Sequence, residues 1–250
     1  MSKYRIAVAA RKGGVGKTTV SCGLASVLAH QNLRTLVIDL DPQSNAAYVL
    51  GVDPIAAGTA ELLTGGKPTP LEAAPTLHVL PGGPELGSQR IQSLHPEELA
   101  EAIKALDYDA IIFDCPPGNE YLERFGLVAA DVGLVITNAH PLAVMGAARV
   151  IEILESYRKK GWRGPQRWAF VLSQIDARRS LDKQFAPQLA QRYPETPRFT
   201  IHQDTTLSLA AAEQVPLMQY AASSRGATEL TSLAQWIADP SRLSEDTNAS

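Results

Sequence analysis

A glycine-rich segment with two lysines and two threonines carries the residues best suited to chemistry in this chain. It spans residues 12–19 and reads Lys-Gly-Gly-Val-Gly-Lys-Thr-Thr. Glycines let backbone N–H groups turn inward around an anion, and a helix beginning at the end of the segment adds a partial positive charge. Lys17 can reach between the β- and γ-phosphates of a nucleotide, and the Thr18 hydroxyl can bind Mg²⁺. The predicted nucleotide-binding residues are Lys12, Gly13, Gly14, Val15, Gly16, Lys17, Thr18 and Thr19.

The segment departs from the usual phosphate-loop pattern at its first position. That pattern has a glycine six residues before the lysine, where this chain has Arg11. A second lysine, Lys12, stands at the mouth of the loop. The alternative is a glycine-rich strand–helix turn without a ligand. The position of the segment, directly after one predicted strand and at the start of a helix, favours the phosphate loop.

Carboxylates end two apolar runs elsewhere in the chain. Asp39 and Asp41 follow one run, and Asp114 follows another. Ligands of open α/β sheets gather at the carboxyl ends of strands. A buried, unpaired carboxylate there would cost several kcal/mol, whereas a metal-bound or catalytic water would satisfy it. We therefore predict a metal site at Thr18, Asp39 and Asp114, with a capping or turn role as the alternative for Asp114.

The elements that position these residues follow from the hydrophobic pattern. Short, apolar, β-branched runs alternate with longer helical patterns, which predicts an α/β fold with a mostly parallel twisted sheet flanked by helices on both faces. The predicted strands are residues 5–10, 35–40, 77–80, 110–114, 133–137, 168–173 and 198–201. The predicted helices are residues 17–31, 96–106, 141–160, 181–193, 206–213 and 227–238.

No long linker divides the chain. The Pro-Gly-Gly-Pro cluster at 81–84 is short enough to be a loop. We predict a single P-loop ATPase-like domain over residues 1–240, followed by a polar tail at 241–250 that is expected to be disordered.

Composition narrows the class of protein. Hydrophobic residues make up 45% and charged residues 20% of the 250, as in ordinary folded proteins. Two cysteines, Cys22 and Cys115, cannot form a disulfide framework and are expected to be buried thiols. The apolar runs are too short for a signal peptide or a membrane span. These features predict a cytoplasmic protein.

The net charge of −3 argues against a strongly basic nucleic-acid binder, but it hides an uneven distribution. Residues 1–148 hold 10 basic and 15 acidic side chains, residues 149–198 hold 11 and 5, and residues 199–250 hold 2 and 6. A basic block therefore lies between two acidic parts of the chain. Such a block is most often a solvated face, and its alternative is a DNA-binding surface.

Three motifs in this order resemble the ParA/MinD family of deviant Walker A ATPases. They are the loop at 12–19, Asp-Leu-Asp-Pro-Gln-Ser-Asn at 39–45 and Phe-Asp-Cys-Pro-Pro at 113–117. The chain is most similar to the short Soj/ParA-type partition ATPases, and residues 80–86, 172–178 and 223–227 agree with the same resemblance.

The resemblance implies a mechanism. ATP and Mg²⁺ would bind each subunit of a homodimer that closes face to face over two nucleotides. Lys12 and Lys17 would be catalytic, with Lys12 reaching the partner's phosphates, and Asp41 would orient the attacking water. Asp39 would support the switch region, and Asp114 would hold Mg²⁺ through water.

The resemblance also implies partners: double-stranded DNA, bound without sequence preference, and a ParB-like centromere-binding protein that stimulates hydrolysis. The protein would then be cytoplasmic and nucleoid-associated, and would segregate or position plasmid or chromosomal DNA. The predicted DNA contacts are Arg178, Arg179, Lys183, Arg192, Arg198 and Arg225.

The chain departs from the family pattern at two places. His140 and Met145 stand where the family usually has glutamates. Gln203 and Thr206 stand where chromosomal members have arginines that help to grip DNA. The second departure affects the predicted DNA contacts and leaves the nucleotide site intact.

Two other classes of function stay open. A MinD-like or other cargo-positioning ATPase would act without nucleoid binding. MinD ends in a basic amphipathic helix that lies on lipid, but the last predicted helix here carries Glu229 and Asp239 beside its apolar stripe, which favours core packing. A metabolic P-loop enzyme or an iron–sulfur reductase is the third class, and Cys22 and Cys115 lack the paired spacing of cluster ligands.

Overall fold

Eight strands form one sheet within residues 3–239, the part of the chain that the computed structural model describes. The predicted tail at 241–250 lies outside these residues. Across the sheet the strands follow the order β3-β4-β2-β5-β1-β6-β7-β8. Neighbours run parallel except β3 and β4. The strands are β1 (Tyr4–Ala9), β2 (Thr35–Asp39), β3 (Leu71–Ala74), β4 (Leu77–Leu80), β5 (Ala110–Asp114), β6 (Val132–Thr137), β7 (Arg167–Ile175) and β8 (Arg198–His202).

Helices cover both faces of the sheet, which confirms the predicted fold class. One buried apolar cluster includes residues of the helices Lys17–His30 and Arg225–Ala238, and the other includes residues of the helices Glu120–Ala129 and Pro141–Lys160. The helices are α1 (Lys17–His30), α2 (Asn45–Val49), α3 (Thr59–Leu63), α4 (Gln89–Gln92), α5 (Glu98–Ala102), α6 (Glu120–Ala129), α7 (Pro141–Lys160), α8 (Ser180–Arg192), α9 (Thr205–Ala212), α10 (Leu217–Ala221) and α11 (Arg225–Ala238). Two short 3-10 helices lie at Pro84–Gly87 and Ile103–Ala105.

The central strand β1 shows why its run is apolar nearly throughout. Ile6 and Val8 pack in the cluster on one face, whereas Ala7 and Ala9 pack in the cluster on the other. Successive side chains of a strand point to opposite faces, so a strand covered on both faces needs apolar residues at every position.

The sequence analysis missed strand β3, helix α6, the short helices α2, α3, α4 and α10, and the 3-10 helix at Pro84–Gly87. Strand β3 has the sequence Leu-Glu-Ala-Ala, is partly exposed and pairs antiparallel at the sheet edge, so it lacks the apolar run of the buried strands. Helix α6 contains Gly126, a weak helix former, which lowers its sequence signal. A Cβ at Gly126 would lie 2.7 Å from Cys115 Sγ, so this glycine allows α6 to pack closely against the end of β5.

The strand order places a crevice above β1. Strand β1 lies between β5 and β6. The connection after β1 leads to β2 on one side, whereas the connections after β6 lead to β7 and β8 on the other. Parallel sheets bind ligands at such a switch point, outside the carboxyl ends of the strands. The segment after β1 is residues 10–16, so the sheet topology brings the predicted phosphate loop to the crevice.

The apolar stripe of α11 is used inside the molecule. Leu230, Leu233 and Ile237 are buried in the cluster that also includes α1. A Cβ at Gly23 of α1 would lie 2.6 Å from Leu230 Cδ1, which shows how closely the two helices approach. Within residues 3–239, no helix combines the length and apolarity needed to span a bilayer.

Candidate nucleotide site

Positive backbone angles shape the loop between β1 and α1. Gly14 has φ +73° and Gly16 has φ +86°, in the region that favours glycine. A Cβ at Gly16 would also lie 2.6 Å from Ser173 Oγ. Position 16 therefore requires glycine for both conformation and space.

The carboxyl end of β7 holds this loop in place. Ser173 Oγ donates a hydrogen bond of 2.6 Å to the carbonyl of Val15, and Gln174 Nε2 donates one of 3.1 Å to the carbonyl of Gly14. Gln174 itself has φ +58°. Neither Ser173 nor Gln174 was predicted as a site residue. Their signal is polarity at the end of an otherwise apolar strand.

Asp114, at the end of β5, accepts hydrogen bonds from two side chains near the start of α1. The Thr18 hydroxyl donates to Asp114 Oδ2 at 2.7 Å, and the Ser21 hydroxyl donates to Oδ1 at 2.7 Å. Asp114 is 1% exposed, and Lys17 is buried nearby. Burial raises the pKa of Asp114, and the hydrogen bonds from Ser21 and Thr18 and the charge of Lys17 oppose that rise.

Asp39 is buried beside Asp114 on the neighbouring strand. The two residues are register partners of β2 and β5. Asp39 Oδ1 accepts a hydrogen bond from the Asp41 backbone N–H, and Oδ2 accepts one from the Ala46 N–H, each at 2.8 Å. Burial, followed by the charge of Asp114, raises the pKa of Asp39 well above its usual range. Asp39 thus holds the start of the segment after β2 in place. Its support of a switch region stays a prediction.

The pair formed by Thr18 and Asp114 suits Mg²⁺. A hydroxyl and a carboxylate oxygen are the hard donors that Mg²⁺ prefers, and this ion commonly binds one or two protein ligands together with phosphates and water. Residues 3–239 contain no group of three or more His, Cys, Asp or Glu residues that could hold a metal ion. Both oxygens of Asp39 are engaged by backbone amides. Its predicted role as a metal ligand stays a prediction.

Asp41 and Lys12 are more accessible than this buried pair. Asp41 is partly exposed, and its Oδ1 accepts a hydrogen bond of 3.0 Å from the Gln43 N–H. Lys12 is also partly exposed, and its Nζ makes one long contact of 3.5 Å with the carbonyl of Gly13. Both side chains can therefore reorient toward a bound molecule.

A cleft of about 520 Å³ adjoins the phosphate loop. It extends from Gly16 and Thr19 to the residues that follow β6, β7 and β8. The side chains of its polar lining come from those three strand ends and include Asn138, Gln174, Arg179, Asp182, His202, Gln203 and Asp204.

The six predicted DNA contacts lie at both ends of the sheet. Arg178, Arg179 and Lys183, here called the α8-start group, follow the carboxyl end of β7 and are exposed. Arg178 forms two hydrogen bonds with Asp176, at 2.9 and 2.8 Å. Arg225 begins α11 near the same edge and donates to Glu229 at 2.8 Å.

The other two predicted contacts belong to the opposite edge. Arg192 ends α8, and Arg198 begins β8, so both lie at the amino edge of the sheet. Arg198 Nη1 donates to the backbone carbonyls of Tyr193 and Thr196. Lys159 and Lys160 at the end of α7 reach this edge as well. The basic block of residues 149–198 is thus divided between two surfaces.

The two cysteines are buried free thiols, as predicted. His140 and Met145, the departures noted above, lie at the start of α7. His140 caps that helix, because its Nδ1 accepts a hydrogen bond of 3.2 Å from the Leu142 N–H. Met145 is 68% exposed.

Comparison with known proteins finds relatives that cover nearly the whole chain. The profile of a family described as an AAA domain matches residues 3–163. The chromosome-partitioning ATPase Soj of Thermus thermophilus is 33% identical over an alignment of 239 positions that covers 93% of this chain and 94% of that protein.

Solved structures share the fold. A complex of a McdA variant from Cyanothece with ATP has a TM-score of 0.80 at 21% identity and covers 95% of this chain and 97% of its own. The cell division ATPase MinD of Pyrococcus furiosus has a TM-score of 0.74 at 27% identity, and the match covers 94% of this chain and 98% of the MinD chain. These likenesses show the fold, and the 33% identity with Soj of Thermus thermophilus agrees with the family to which the motifs at 12–19, 39–45 and 113–117 point.

Proposed function

The chain belongs to the ParA/MinD family of ATPases, and we propose that it is an ATP-driven switch that closes as a homodimer and binds double-stranded DNA without sequence preference. The observation that carries this proposal is the joined site of phosphate loop, Thr18 and Asp114, with a second lysine, Lys12, at its mouth. Hydrolysis would open the dimer, so the protein acts as a timer as well as an enzyme.

The residues of the site take distinct roles in this proposal. The loop amides and Lys17 bind the β- and γ-phosphates of ATP. Thr18 would hold Mg²⁺ directly, and Asp114 would hold it through water. When bound, Mg²⁺ supplies neutralising charge to the phosphate oxygens. Asp41 orients the attacking water, and Lys12 stabilises the charge that develops on the phosphoryl group of the other subunit.

The cleft beside the loop suits the nucleoside of ATP. It adjoins Gly16 and Thr19, and its lining offers hydrogen-bonding groups from Asn138, Gln174 and Gln203. A nucleotide whose phosphates lie on the loop can place its base there without crossing the sheet edge. We therefore assign the base to this cleft.

The α8-start group supports DNA binding. Arg179 lines the cleft of the proposed nucleotide site, so this basic surface adjoins that site. A homodimer doubles the charge, and phosphate contacts add up in a salt-dependent manner. The cargo would be chromosomal or plasmid DNA, hydrolysis would be stimulated by a ParB-like protein, and residues 1–240 would act as one nucleoid-associated, cytoplasmic domain.

ATP turnover and DNA binding by the purified chain test the proposal. We expect slow Mg²⁺-dependent hydrolysis, and retardation of arbitrary duplex DNA at low salt only with ATP or a slowly hydrolysed analogue. Lys17→Ala should abolish nucleotide binding and, with it, DNA retardation. Equal retardation of DNA with and without nucleotide would contradict the proposed switch.

A MinD-like or other cargo-positioning ATPase without nucleoid binding is the second candidate. Gln203 and Thr206 favour it, because they replace the arginines expected in chromosomal members. The burial of Leu230 and Leu233 argues against α11 as a lipid-binding helix. Pelleting with anionic liposomes and ATP, in parallel with DNA retardation, separates the candidates. Liposome binding without DNA binding would favour the second.

A further inference from the structure

Arg11, the residue that replaces the first glycine of the usual pattern, is fixed by helix α6. Its guanidinium forms an ion pair with Glu120 through Nη1, and Nη2 lies 3.1 Å from Glu123 Oε2. The Arg11 side chain is 14% exposed and that of Glu123 is 2% exposed. The loop residue is therefore held by two carboxylates on consecutive turns of one helix.

Helix α7 has a glycine, Gly146, where it packs against the Arg11 side chain. A Cβ at Gly146 would lie 2.9 Å from Arg11 Cβ. Glycine at 146 thus leaves the space that the arginine occupies between α6 and α7. The close approach of Gly146 and the ion pairs with Glu120 and Glu123 are independent observations. Both fix the position of the Arg11 side chain.

Lys12, the next residue, has no comparable anchor. Among the described residues, its side chain makes one hydrogen bond, the long contact of Nζ with the carbonyl of Gly13. Farther along, the loop is held at Gly14 and Val15 by the end of β7. The point from which the Lys12 side chain emerges is thus set by Arg11 on one side and by these two carbonyls on the other.

We propose that Arg11 is a positioning residue for hydrolysis: its attachment to Glu120 and Glu123 aims Lys12 across the dimer toward the phosphates of the partner subunit. This inference rests on the proposed function. Arg11 itself does not touch the nucleotide. Because Lys17 and the loop amides bind the phosphates, loss of the attachment should lower turnover and leave ATP affinity nearly unchanged.

The buried carboxylate requires a paired design. Removing Arg11 alone would leave Glu123 buried with an uncompensated charge, which is strongly destabilising. The variant Arg11→Met with Glu123→Gln removes both charges and conserves side-chain size. Arg11→Lys keeps the charge and loses the planar fork that contacts two carboxylates at once.

A double-mutant cycle with Lys12→Ala tests the proposal. Turnover and ATP affinity are measured for the wild type, the Arg11→Met/Glu123→Gln variant, Lys12→Ala and the combination. We expect Arg11→Met/Glu123→Gln to lower turnover by roughly tenfold to a hundredfold, the scale of a small misplacement of a catalytic group. In the Lys12→Ala background the same pair should change turnover by less than about twofold, because its effect passes through Lys12. ATP affinity should stay within about twofold throughout.

Additive losses of turnover in the cycle, or a fall in ATP affinity that matches the fall in turnover, would overturn the role of Arg11. Arg11→Lys should fold and show an intermediate turnover, so the proposal stays testable if the methionine variant is unstable. A wild-type chain that neither bound nor hydrolysed ATP would instead contradict the proposed function itself.

A control ion pair lies on β1, the strand that precedes the loop. Arg5 of β1 pairs with Asp131 at the amino edge, far from the loop, with hydrogen bonds of 2.7 and 2.5 Å. Arg5→Met with Asp131→Asn removes an ion pair that is more exposed than that of Arg11 and Glu123. We expect this double substitution to lower the free energy of unfolding and to leave turnover unchanged.

Discussion

Asp39 and Asp41 stand two residues apart in the sequence and have different surroundings. Asp39 is fully buried and its two oxygens hold backbone amides of the following segment. Asp41 is partly exposed and accepts one hydrogen bond from the Gln43 N–H. Position relative to the strand end therefore gives the first carboxylate a structural task and leaves the second accessible to a bound molecule.

Asp41→Ala should trap the ATP-bound dimer. The substitution removes the group proposed to orient water and leaves the phosphate loop, Lys17 and Thr18 intact. We expect turnover to fall by roughly a hundredfold or more, within the range of general-base contributions. ATP-dependent association, followed by light scattering, should persist longer than in the wild type. Hydrolysis at the wild-type rate would show that Asp41 has another role.

Glu123 should make stability depend on pH. Burial raises its pKa to about 7, against an ordinary 4.5, although Arg11 opposes the rise. The unfolded chain releases this proton near pH 4.5 and the folded chain only near 7, so the stabilisation is complete below pH 4.5 and is lost as the pH rises to 7. The loss is about 3 kcal/mol as an order of magnitude.

Glu123→Gln should flatten this dependence. Urea unfolding at pH 5 and pH 8 measures the difference, which we expect to be smaller in Glu123→Gln than in the wild type. Glu120→Gln is the matched control on the same helix, because the Glu120 side chain is 65% exposed. Identical pH dependence in all three proteins would contradict the assignment to Glu123.

At the scale of elements, β7 contributes to the site through the loop that it supports. Ser173 and Gln174 bind carbonyls of the segment between β1 and α1. Strands β1 and β7 are separated by β6 in the sheet, so the loop after β1 extends past the end of β6 to contact β7. Helix α6 supplies the other support through Arg11.

Gly16→Ala should disrupt the loop. Alanine at position 16 would have to adopt φ +86°, and its Cβ would lie 2.6 Å from Ser173 Oγ. The loop or its contact with β7 must therefore shift. We expect ATP affinity, measured by calorimetry, to fall by roughly tenfold or more, because the amides no longer converge on the phosphates.

Gly65→Ala separates backbone strain from displacement of the loop. Gly65 has φ +88°, and a Cβ there would meet no atom within 4 Å. Both substitutions should cost of the order of 1 kcal/mol in backbone strain. Only Gly16→Ala should weaken ATP binding. Equal effects on affinity would mean that the contact with Ser173 is unimportant.

At the scale of the whole molecule, the charge of −3 conceals two separate basic surfaces. The α8-start group lies at the carboxyl edge of the sheet, with the nucleotide site. Lys159, Lys160 and Arg192 lie at the amino edge. A helix of 13 residues such as α8 is about 20 Å long, so its two ends cannot serve one compact patch.

Charge reversal at the two surfaces should have different effects on DNA binding. Changing Arg178, Arg179 and Lys183 to Glu should abolish ATP-dependent retardation of duplex DNA. Changing Lys159, Lys160 and Arg192 to Glu alters the net charge equally and should retain it. The loss of each phosphate contact lowers the slope of log affinity against log salt by about 0.9. Retardation that is unaffected by the first set would contradict the surface assigned here.

Several features of this protein follow from local sequence. The phosphate loop, seven of the eight strands and the carboxylates at strand ends are visible in the sequence, because glycine spacing and apolar runs report local backbone requirements. Strand β3, helix α6 and the short helices α2, α3, α4 and α10 escaped prediction, because a partly exposed edge strand, a glycine-containing helix and helices of four or five residues have weak local signals.

Tertiary structure alone decided which residues meet. The contact of Arg11 with Glu120 and Glu123, the support of Val15 by Ser173 and the division of the basic block between two edges join or separate residues according to strand order. Local pattern carries no record of that order, because the energy of each strand pair depends on residues far apart in the chain. The sequence by itself therefore determined the chemistry of the phosphate site, and the fold determined what holds that site and which basic surface lies beside it.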